Sequence, residues 1–339
     1  MNENHLEVVC LDWLASLGWT CLHSDAVSPG GEQAGRDRYA DVVLAPRLRD
    51  AVSRLSPDLV PAEVCEVVAK VASYGSQSLV DGNREMYDWL RNGVPLERIE
   101  PDGRRSVLRV PVIDFDGPND LLAVQQFTVH GQKLRRPDLV LFVNGLPLVV
   151  IELKNPADPN ADYEKAYHQI QTYKADIPQL FAYNLLNVIS DGTVARYGSL
   201  SADLSRHSRW RLVGGEKAAK GMLELESLMR GLMEPHTLLD FFRGFVAFGG
   251  SDGGASFKII AQWHQYHGVK KAVQRAVDAL THRKDGKGGV IWFTQGSGKS
   301  LLALFYVMAL RERSEFANPT VVLVTDRKSS TSPSVAWKI

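Results

Sequence analysis

Residues 138–154 read DLVLFVNGLPLVVIELK, two apolar runs on either side of Asn144-Gly145. Asn-Gly between hydrophobic runs is the strongest short-range signal for a β-hairpin. The runs are almost free of polar residues, and such continuous hydrophobicity is typical of strands that are buried on both faces. The stretch therefore predicts the central hairpin of a sheet that is covered on both sides.

Acidic and basic side chains stand at the open end of this hairpin. Asp138 precedes the first run, and Glu152 and Lys154 end the second, in the pattern P-D-x13-E-x-K. Carboxylates on adjacent strands can offer Mg²⁺ oxygen ligands, and phosphodiester hydrolysis needs a divalent metal to polarise the phosphate and acidify a water. Lys154, two residues after Glu152, projects to the same face and could orient that water. The pattern thus predicts a metal-dependent phosphodiesterase centre. The alternative is a hairpin with ordinary solvated ends.

The register of the hairpin decides between these interpretations. A two-residue type I′ loop would pair Val143 with Leu146, which places Asp138 opposite Ile151 and turns Glu152 to the other face of the sheet. Acids on opposite faces cannot share one Mg²⁺. The catalytic hypothesis therefore requires an odd-length loop, most simply residues 143–145 with Gly145 in the left-handed region. A compensating bulge elsewhere, for example at Pro147, would serve equally.

Three further side chains are candidates for the same centre. Gln169 and Tyr173 form Q-x-x-x-Y on a predicted helix over 161–175, where this spacing puts them on one face within reach of a phosphate or a metal ligand. The alternative is a core tyrosine beside a surface glutamine. Glu7 lies at the edge of the apolar stripe of a predicted helix over 4–17, either as a further acid near the metal or as an ordinary charge on the helix flank.

A second motif, TQGSGKS at 294–300, is typical of a phosphate-binding loop. It follows a predicted strand over 290–293 and precedes a predicted helix over 299–312; with a strand over 320–324 this would form one right-handed βαβ unit. Backbone N–H groups of such a loop cradle the phosphates of a nucleotide, Lys299 would reach the β- and γ-phosphates, and Ser300 would ligate Mg²⁺. Phe293 replaces the first glycine of the strict pattern. The predicted nucleotide-binding positions in the loop are Thr294, Gly296, Ser297, Gly298, Lys299 and Ser300.

Gln265 lies about thirty residues before this loop, in WHQY on a predicted helix over 263–282. Its amide could read the edge of an adenine. The alternative is a polar residue on an amphipathic helix. The acidic strand end that a P-loop motor also needs does not follow Ser300 in this sequence, so we expect the motor to be incomplete in this chain.

Composition limits the function classes. The chain has 339 residues, 45% of them hydrophobic, with 39 Lys and Arg against 39 Asp and Glu. The length predicts about two domains, and the balanced charge excludes a globally basic nucleic-acid-binding surface, so DNA contacts must come from local patches such as Lys133-Leu134-Arg135-Arg136. The sequence predicts no membrane span and no signal peptide, and three cysteines without a CxxC motif favour the cytoplasm.

The sequence is predicted to divide in three. Residues 1–215 would form the nuclease domain, 216–256 a linker that is loosest at the glycine-rich 249–254, and 257–339 the first ATP-binding lobe, cut short. The fold class is α/β: a mixed sheet flanked by helices, followed by part of a RecA-like P-loop lobe.

These motifs together resemble the N-terminal part of the restriction (R) subunit of type I restriction enzymes. The resemblance is carried by FTVHGQKLRRPDLVLFVNGLPLVVIELKNP (127–156), HQIQTY (168–173), AQWHQYHGVKKAV (261–273) and GGVIWFTQGSGKSLLALF (288–305). It implies a PD-(D/E)xK nuclease domain, with Asp138, Glu152, Lys154, Gln169 and Tyr173 in its motifs, followed by superfamily 2 helicase-like lobes. Residues 294–300 would then be helicase motif I, and Thr325-Asp326-Arg327 would resemble motif Ia.

The resemblance also implies a function. It implies Mg²⁺ and ATP as cofactors, double-stranded DNA as substrate, and a complex with methyltransferase and specificity subunits in which ATP-driven translocation precedes cleavage. After Arg327 the sequence leaves the family pattern. The rival hypothesis is a non-catalytic nucleotide- or DNA-binding remnant, and a third, a stand-alone P-loop ATPase, is disfavoured because the acidic strand end is missing.

Overall fold

The computed structural model describes residues 3–324 apart from 74, 77, 100–101, 155–161, 251–254 and 323. The chain divides into two compact units, Met1–Leu239 and Asp240–Ile339. In the described residues, no helix is long and apolar enough to cross a membrane. The helices are α1 (Glu3–Ser16), α2 (Ser24–Val27), α3 (Ala45–Leu55), α4 (Pro61–Ala72), α5 (Leu79–Asn92), α6 (Tyr163–Asp176), α7 (Pro178–Phe181), α8 (Glu224–Gly231), α9 (Pro235–Gly244), α10 (Trp263–Thr281) and α11 (Lys299–Arg311).

The strands form one large sheet and several two-stranded hairpins. They are β1 (Thr20–His23), β2 (Val94–Ile99), β3 (Arg105–Val110), β4 (Leu121–Gln125), β5 (Val129–His130), β6 (Leu134–Arg135), β7 (Leu139–Val143), β8 (Leu146–Leu153), β9 (Leu186–Ser190), β10 (Ala195–Gly198), β11 (Leu212–Val213), β12 (Glu216–Lys217), β13 (Val246–Gly249) and β14 (Phe257–Ile260).

The large sheet is mixed, in the order β1-β4-β7-β8-β9-β10. The pairs β4 with β7, β7 with β8 and β9 with β10 are antiparallel, while β1 with β4 and β8 with β9 are parallel pairs. Every residue of β7 and β8 is buried, as their continuous hydrophobicity predicts. Helices α1 and α6 both contact β8, so the two predicted site helices pack beside the central hairpin.

The turn of the central hairpin has two residues, so the predicted three-residue loop is wrong. Val143 pairs with Leu146, and Asn144 (φ 52°) and Gly145 (φ 79°) both occupy the left-handed region that a type I′ turn demands. The side chain of Asn144 is buried and fixes the turn: its Oδ1 accepts the N–H of Asp120 at 2.8 Å and its Nδ2 donates to the carbonyl of Val112 at 2.8 Å.

A bulge beside the turn restores the register that the catalytic hypothesis requires. Phe142 pairs with Pro147, but the next pair is Leu141 with Val149, so Leu148 is an extra residue on β8. Pro147 has no N–H to give to the ladder, which makes this a natural point for the irregularity. From there to Leu139 and Ile151 the register is shifted by one residue, and its continuation sets Asp138 opposite Glu152. The compensating bulge next to Pro147 is confirmed.

Residues 216–256 hold more regular structure than a linker would. Helices α8 and α9 and strand β13 lie within them. The apolar residues of the two helices recur at helical spacing and are buried; Leu225, Leu228 and Phe241 are examples. The predicted loosest segment, 249–254, falls largely outside the described residues. The boundaries predicted for the domains remain predictions.

The predicted βαβ unit is not formed in the part of the chain that the structure describes. Helices α10 and α11 are confirmed, but residues 290–293 and the described residues of 320–324 are not strands. Val290 is 95% exposed and Trp292 83% exposed, so these apolar runs lack the neighbouring strands whose backbone groups a parallel strand must bond. Thr325-Asp326-Arg327 lies outside the described residues.

Candidate active site

Asp138 and Glu152 lie opposite each other at one end of β7 and β8, the two central strands of the large sheet. Asp138 directly precedes β7 and Glu152 is the penultimate residue of β8, and their exposures are only 7% and 2%. Asp138 Oδ2 accepts the backbone N–H of Leu153 at 2.7 Å, which fixes its carboxylate beside the end of β8. The shifted register thus brings two buried carboxylates to the same side of the sheet.

Lys154 joins this pair. Its ammonium donates to Glu152 Oε1 at 2.5 Å and to the carbonyl oxygen of Leu153 at 3.1 Å. Its backbone N–H donates to the carbonyl of Ser190 at 2.8 Å, so the chain remains tied to β9 one residue past the strand. The Asp138, Glu152 and Lys154 constellation predicted from sequence is therefore assembled in space.

Helix α6 brings Tyr173 and Gln169 to the same centre. The helix begins after Asp162, whose side chain accepts the N–H of Lys165 at 2.9 Å. Tyr173 is buried and its hydroxyl donates to the carbonyl of Arg136 at 3.3 Å. Burial raises the pKa of Tyr173, the charges of Glu152 and Asp138 and a hydrogen bond with Glu152 raise it further, and a hydrogen bond with Gln169 opposes them. Tyr173 is thus a neutral group that contacts both Glu152 and Gln169.

Glu7 lies beside the pair through a glutamine. Gln126 Nε2 donates to Glu7 Oε1 at 2.8 Å and approaches Asp138 Oδ1 at 3.4 Å, while Gln125 Nε2 donates to Glu7 Oε2 at 2.9 Å. Both carboxylate oxygens of Glu7 are therefore engaged by amides. Glu7 is close enough to act on Asp138 electrostatically, but Gln126 stands between them.

The electrostatics of the centre favour a bound proton or cation. Burial and the charge of Glu152 raise the pKa of Asp138 to about 8; the Leu153 N–H lowers it, Glu7 raises it and Lys154 lowers it. Cys10, on the neighbouring turn of α1, is fully buried, and burial together with Glu7 and Asp138 raises the pKa of its thiol. Carboxylates crowded in a poorly solvated place carry excess negative charge that a cation would neutralise.

The donor set fits Mg²⁺. The Lys154 ammonium already sits as a cation between a carboxylate oxygen and a backbone carbonyl, and hard oxygen atoms of these kinds are the ligands that Mg²⁺ prefers. In the part of the chain described, no three His, Cys, Asp or Glu side chains form a ready-made metal cage.

The second unit holds the TQGSGKS segment, residues 294–300, which is the predicted phosphate loop. Gly296 (φ 81°) and Gly298 (φ 75°) take left-handed backbone conformations, and α11 begins at Lys299, directly after Gly298. The Lys299 ammonium donates to the carbonyls of Phe293 and Thr294 at 3.1 and 3.0 Å. The loop thus closes on its own lysine, and Ser300 stands in the first turn of the helix that follows.

Gln265, on α10, is hydrogen bonded to the backbone of this loop. Its Oε1 accepts the N–H of Gln262 at 2.9 Å, and its Nε2 donates to the carbonyls of Gly298 and Ser297 at 3.2 and 3.4 Å. A Cβ on Gly298 would lie 2.5 Å from Gln265 Nε2, so a side chain there would displace the Gln265 amide. The neighbouring His264 ring contacts the carbonyl of Ser297 at 3.0 Å. The structure places Gln265 against the loop backbone, and its role in reading adenine stays a prediction.

Comparison with known families places most of the chain in one of them. The family model for the type I restriction enzyme R protein N terminus matches residues 1–206, well over half of the chain. The chain belongs to this family. A second model, for the SWI2/SNF2 ATPase, matches residues 264–331, which include the phosphate loop.

Curated relatives carry the same description. The chain is 41% identical over 334 residues to the type I restriction enzyme HindI endonuclease subunit of Haemophilus influenzae, covering 96% of this chain and 32% of that protein. It is 29% identical over 354 residues to the putative type I restriction enzyme MjaIXP endonuclease subunit of Methanocaldococcus jannaschii, covering 96% and 33%. The chain therefore spans about one third of the length of these R-subunit relatives.

Gln126 is the site residue that sequence reasoning missed. It follows β4, takes a left-handed backbone conformation (φ 56°) unusual for a residue with a side chain, and links Glu7 to Asp138. Its backbone N–H also donates to the Asp138 carbonyl at 2.8 Å. No pattern in Gln125-Gln126 distinguishes it from an ordinary strand end, because its role depends on the register of β4 against β7.

Proposed function

We propose that this member of the R-protein family cleaves double-stranded DNA by Mg²⁺-dependent phosphodiester hydrolysis at the Asp138–Glu152 centre. The observation that carries the proposal is the shifted register of β8, which sets two buried carboxylates against each other with Lys154 hydrogen bonded to one of them. A sheet with the unshifted register would have separated them.

The roles of the residues follow from their positions. Asp138, Glu152 and the Leu153 carbonyl would hold the metal ion, with Glu7 adding negative charge from behind Gln126. When bound there, Mg²⁺ supplies a Lewis acid that polarises the phosphodiester and lowers the pKa of a water. Lys154, released from Glu152 by the metal, would orient the attacking water and offset the charge that develops on the phosphate. Tyr173 and Gln169 would keep Glu152 in position.

The second unit would bind Mg²⁺-ATP. Backbone N–H groups of residues 294–298 and the N-terminus of α11 would surround the phosphates, Lys299 would turn from its own loop carbonyls to the β- and γ-phosphates, and Ser300 would ligate the metal ion. In the R subunit as a whole, this binding would drive DNA translocation in a cytoplasmic complex with methyltransferase and specificity subunits. The support for this part is the family membership and the match to the ATPase model.

A plasmid-nicking assay tests the nuclease proposal. Supercoiled plasmid is incubated with the chain and Mg²⁺ or Mn²⁺, and open-circular and linear products are quantified. We expect nicking by the wild type, background levels for Asp138→Ala and Lys154→Ala, and wild-type levels for Asp58→Ala, which removes an exposed carboxylate. If the wild type and Asp138→Ala give equal product, the proposal is wrong. If neither nicks but both bind DNA, the non-catalytic remnant is the better description.

A further inference from the structure

A short basic hairpin leads directly into the catalytic aspartate. It comprises residues 129–136: β5, a turn at 131–133, β6 and Arg136, which Pro137 separates from Asp138. Two residues of extended chain span about 7 Å at most, so the backbone of Arg136 lies at the rim of the candidate active site. The hydrogen bond from Tyr173 to the Arg136 carbonyl ties this backbone to the centre.

The end of α6 anchors the basic hairpin. Arg135 Nε donates to Asp176 Oδ2 at 2.7 Å, and the Gln132 N–H donates to the Asp176 carbonyl at 2.7 Å. At Gly131 a Cβ would lie 2.3 Å from that same carbonyl, so the close approach requires glycine. Asp176 therefore anchors the hairpin through both its side chain and its backbone carbonyl.

This anchoring pairs Arg135 closely with Asp176 and leaves Arg136 exposed to solvent. The Arg135 guanidinium forms a close ion pair with the Asp176 carboxylate. The Lys133 ammonium lies 3.9 Å from the same carboxylate, and 68% of the Lys133 side chain is exposed. Arg136 is exposed, and within the described ranges its guanidinium pairs with no carboxylate. The sequence alone could not separate these three roles, since Lys133, Arg135 and Arg136 stand in one cluster.

The charge of the catalytic centre explains why such cations are needed there. Glu7, Asp138 and Glu152 crowd the centre, and among the described residues Lys154 is the cation that acts on Asp138, so these carboxylates repel a polyanion. Contacts from exposed arginine and lysine to phosphate oxygens position a duplex without reading its sequence. The exposed Arg136 side chain, two residues from Asp138, is placed to hold the backbone of the strand that is cut.

We propose that the basic hairpin is a contact surface for the phosphates of duplex DNA, with Arg136 as its principal contact and Lys133 as a second. The proposal rests on the nuclease function above, and it adds the element that would hold the substrate beside the metal centre.

Binding of a short fluorescent duplex, measured by anisotropy in EDTA over a range of salt concentrations, tests this separately from cleavage. We expect Arg136→Ala to weaken binding several-fold and to reduce the slope of log affinity against log salt by about one, the value for one lost phosphate contact. Arg136→Lys should keep most of the slope, and Lys133→Ala should lower it further when combined with Arg136→Ala. Thermal midpoints confirm folding, which an exposed side chain should not alter.

Arg49 provides the matched control. It is an exposed arginine on α3, whose first residues pack on the hairpin turn through the hydrogen bond from the Leu44 N–H to the Gly145 carbonyl, at the other end of β7 from Asp138. Arg49→Ala removes the same charge and should bind like the wild type. The proposal is overturned if the wild type does not bind the duplex, or if Arg136→Ala matches Arg49→Ala in affinity and slope.

The two proposals can fail separately. If the wild type nicks plasmid and Arg136→Ala binds and nicks like Arg49→Ala, the basic hairpin is not a DNA contact and the nuclease assignment stands. If the wild type binds without nicking and Arg136→Ala alone loses affinity, the contact surface stands and the catalytic proposal fails.

Discussion

Asp138→Asn should stabilise the metal-free protein, and by an amount that grows with pH. Burial and Glu152 raise the pKa of Asp138 from 3.8 to about 8 in the folded chain. A carboxyl whose pKa is raised on folding stabilises the folded state fully below its unfolded pKa and loses that contribution as the pH rises toward the folded pKa. The loss is therefore spread between about pH 4 and pH 8, and asparagine does not suffer it.

The size of the effect follows from the shift. One pKa unit corresponds to about 1.4 kcal/mol, so stability should fall by at most about 3 kcal/mol between pH 5 and pH 7 on account of this group. Because the charge of Glu152 contributes to the shift of Asp138, this is an upper limit for Asp138. An asparagine oxygen can still accept the Leu153 N–H, so the substitution keeps the hydrogen bond that fixes the side chain.

Urea unfolding in EDTA at pH 5, 6 and 7 measures this. The advantage of Asp138→Asn over the wild type should increase at each step, while Asp58→Asn, an exposed carboxylate, should show a constant difference. Saturating Mg²⁺ should stabilise the wild type and leave Asp138→Asn nearly unchanged. A pH-independent difference, or an asparagine variant less stable than the wild type at pH 7, would refute the reasoning that this carboxylate is strained without a cation.

Two further predictions concern the turn and the phosphate loop. Gly145→Ala should destabilise the first unit by more than about 2 kcal/mol in urea unfolding, because a Cβ there would lie 2.5 Å from the Leu44 carbonyl oxygen and the residue has a positive φ. Gly214→Ala, at a position with positive φ and open space, should lower the free energy of unfolding by only about 1 kcal/mol. Equal losses for the two variants would show that the clash at residue 145 is relieved. Lys299→Ala should abolish binding of a fluorescent ATP analogue and leave metal-dependent nicking intact, because the two sites lie in different units; a parallel loss of nicking would contradict that assignment.

Much of the candidate active site could be predicted from the order of residues alone. Asn144-Gly145 between apolar runs predicted the hairpin, because the left-handed conformations of its turn are a local property of those two residues. The identity of Asp138, Glu152 and Lys154 as one group followed from their position at the ends of buried strands. Amphipathic spacing likewise predicted α1, α6, α10 and α11.

Tertiary structure decided what depends on partners distant in the chain. The turn residues alone would have set Glu152 on the wrong face, and the extra residue Leu148 corrects this, because the strand must satisfy a register with β7 on one side and β9 on the other. The same pairing brings Gln126 between Glu7 and Asp138, which no local pattern foretells. Residues 290–293 are an apolar run with strand propensity that does not form a strand. A segment becomes a strand through backbone hydrogen bonds to a neighbouring strand, and propensity alone does not provide those hydrogen bonds.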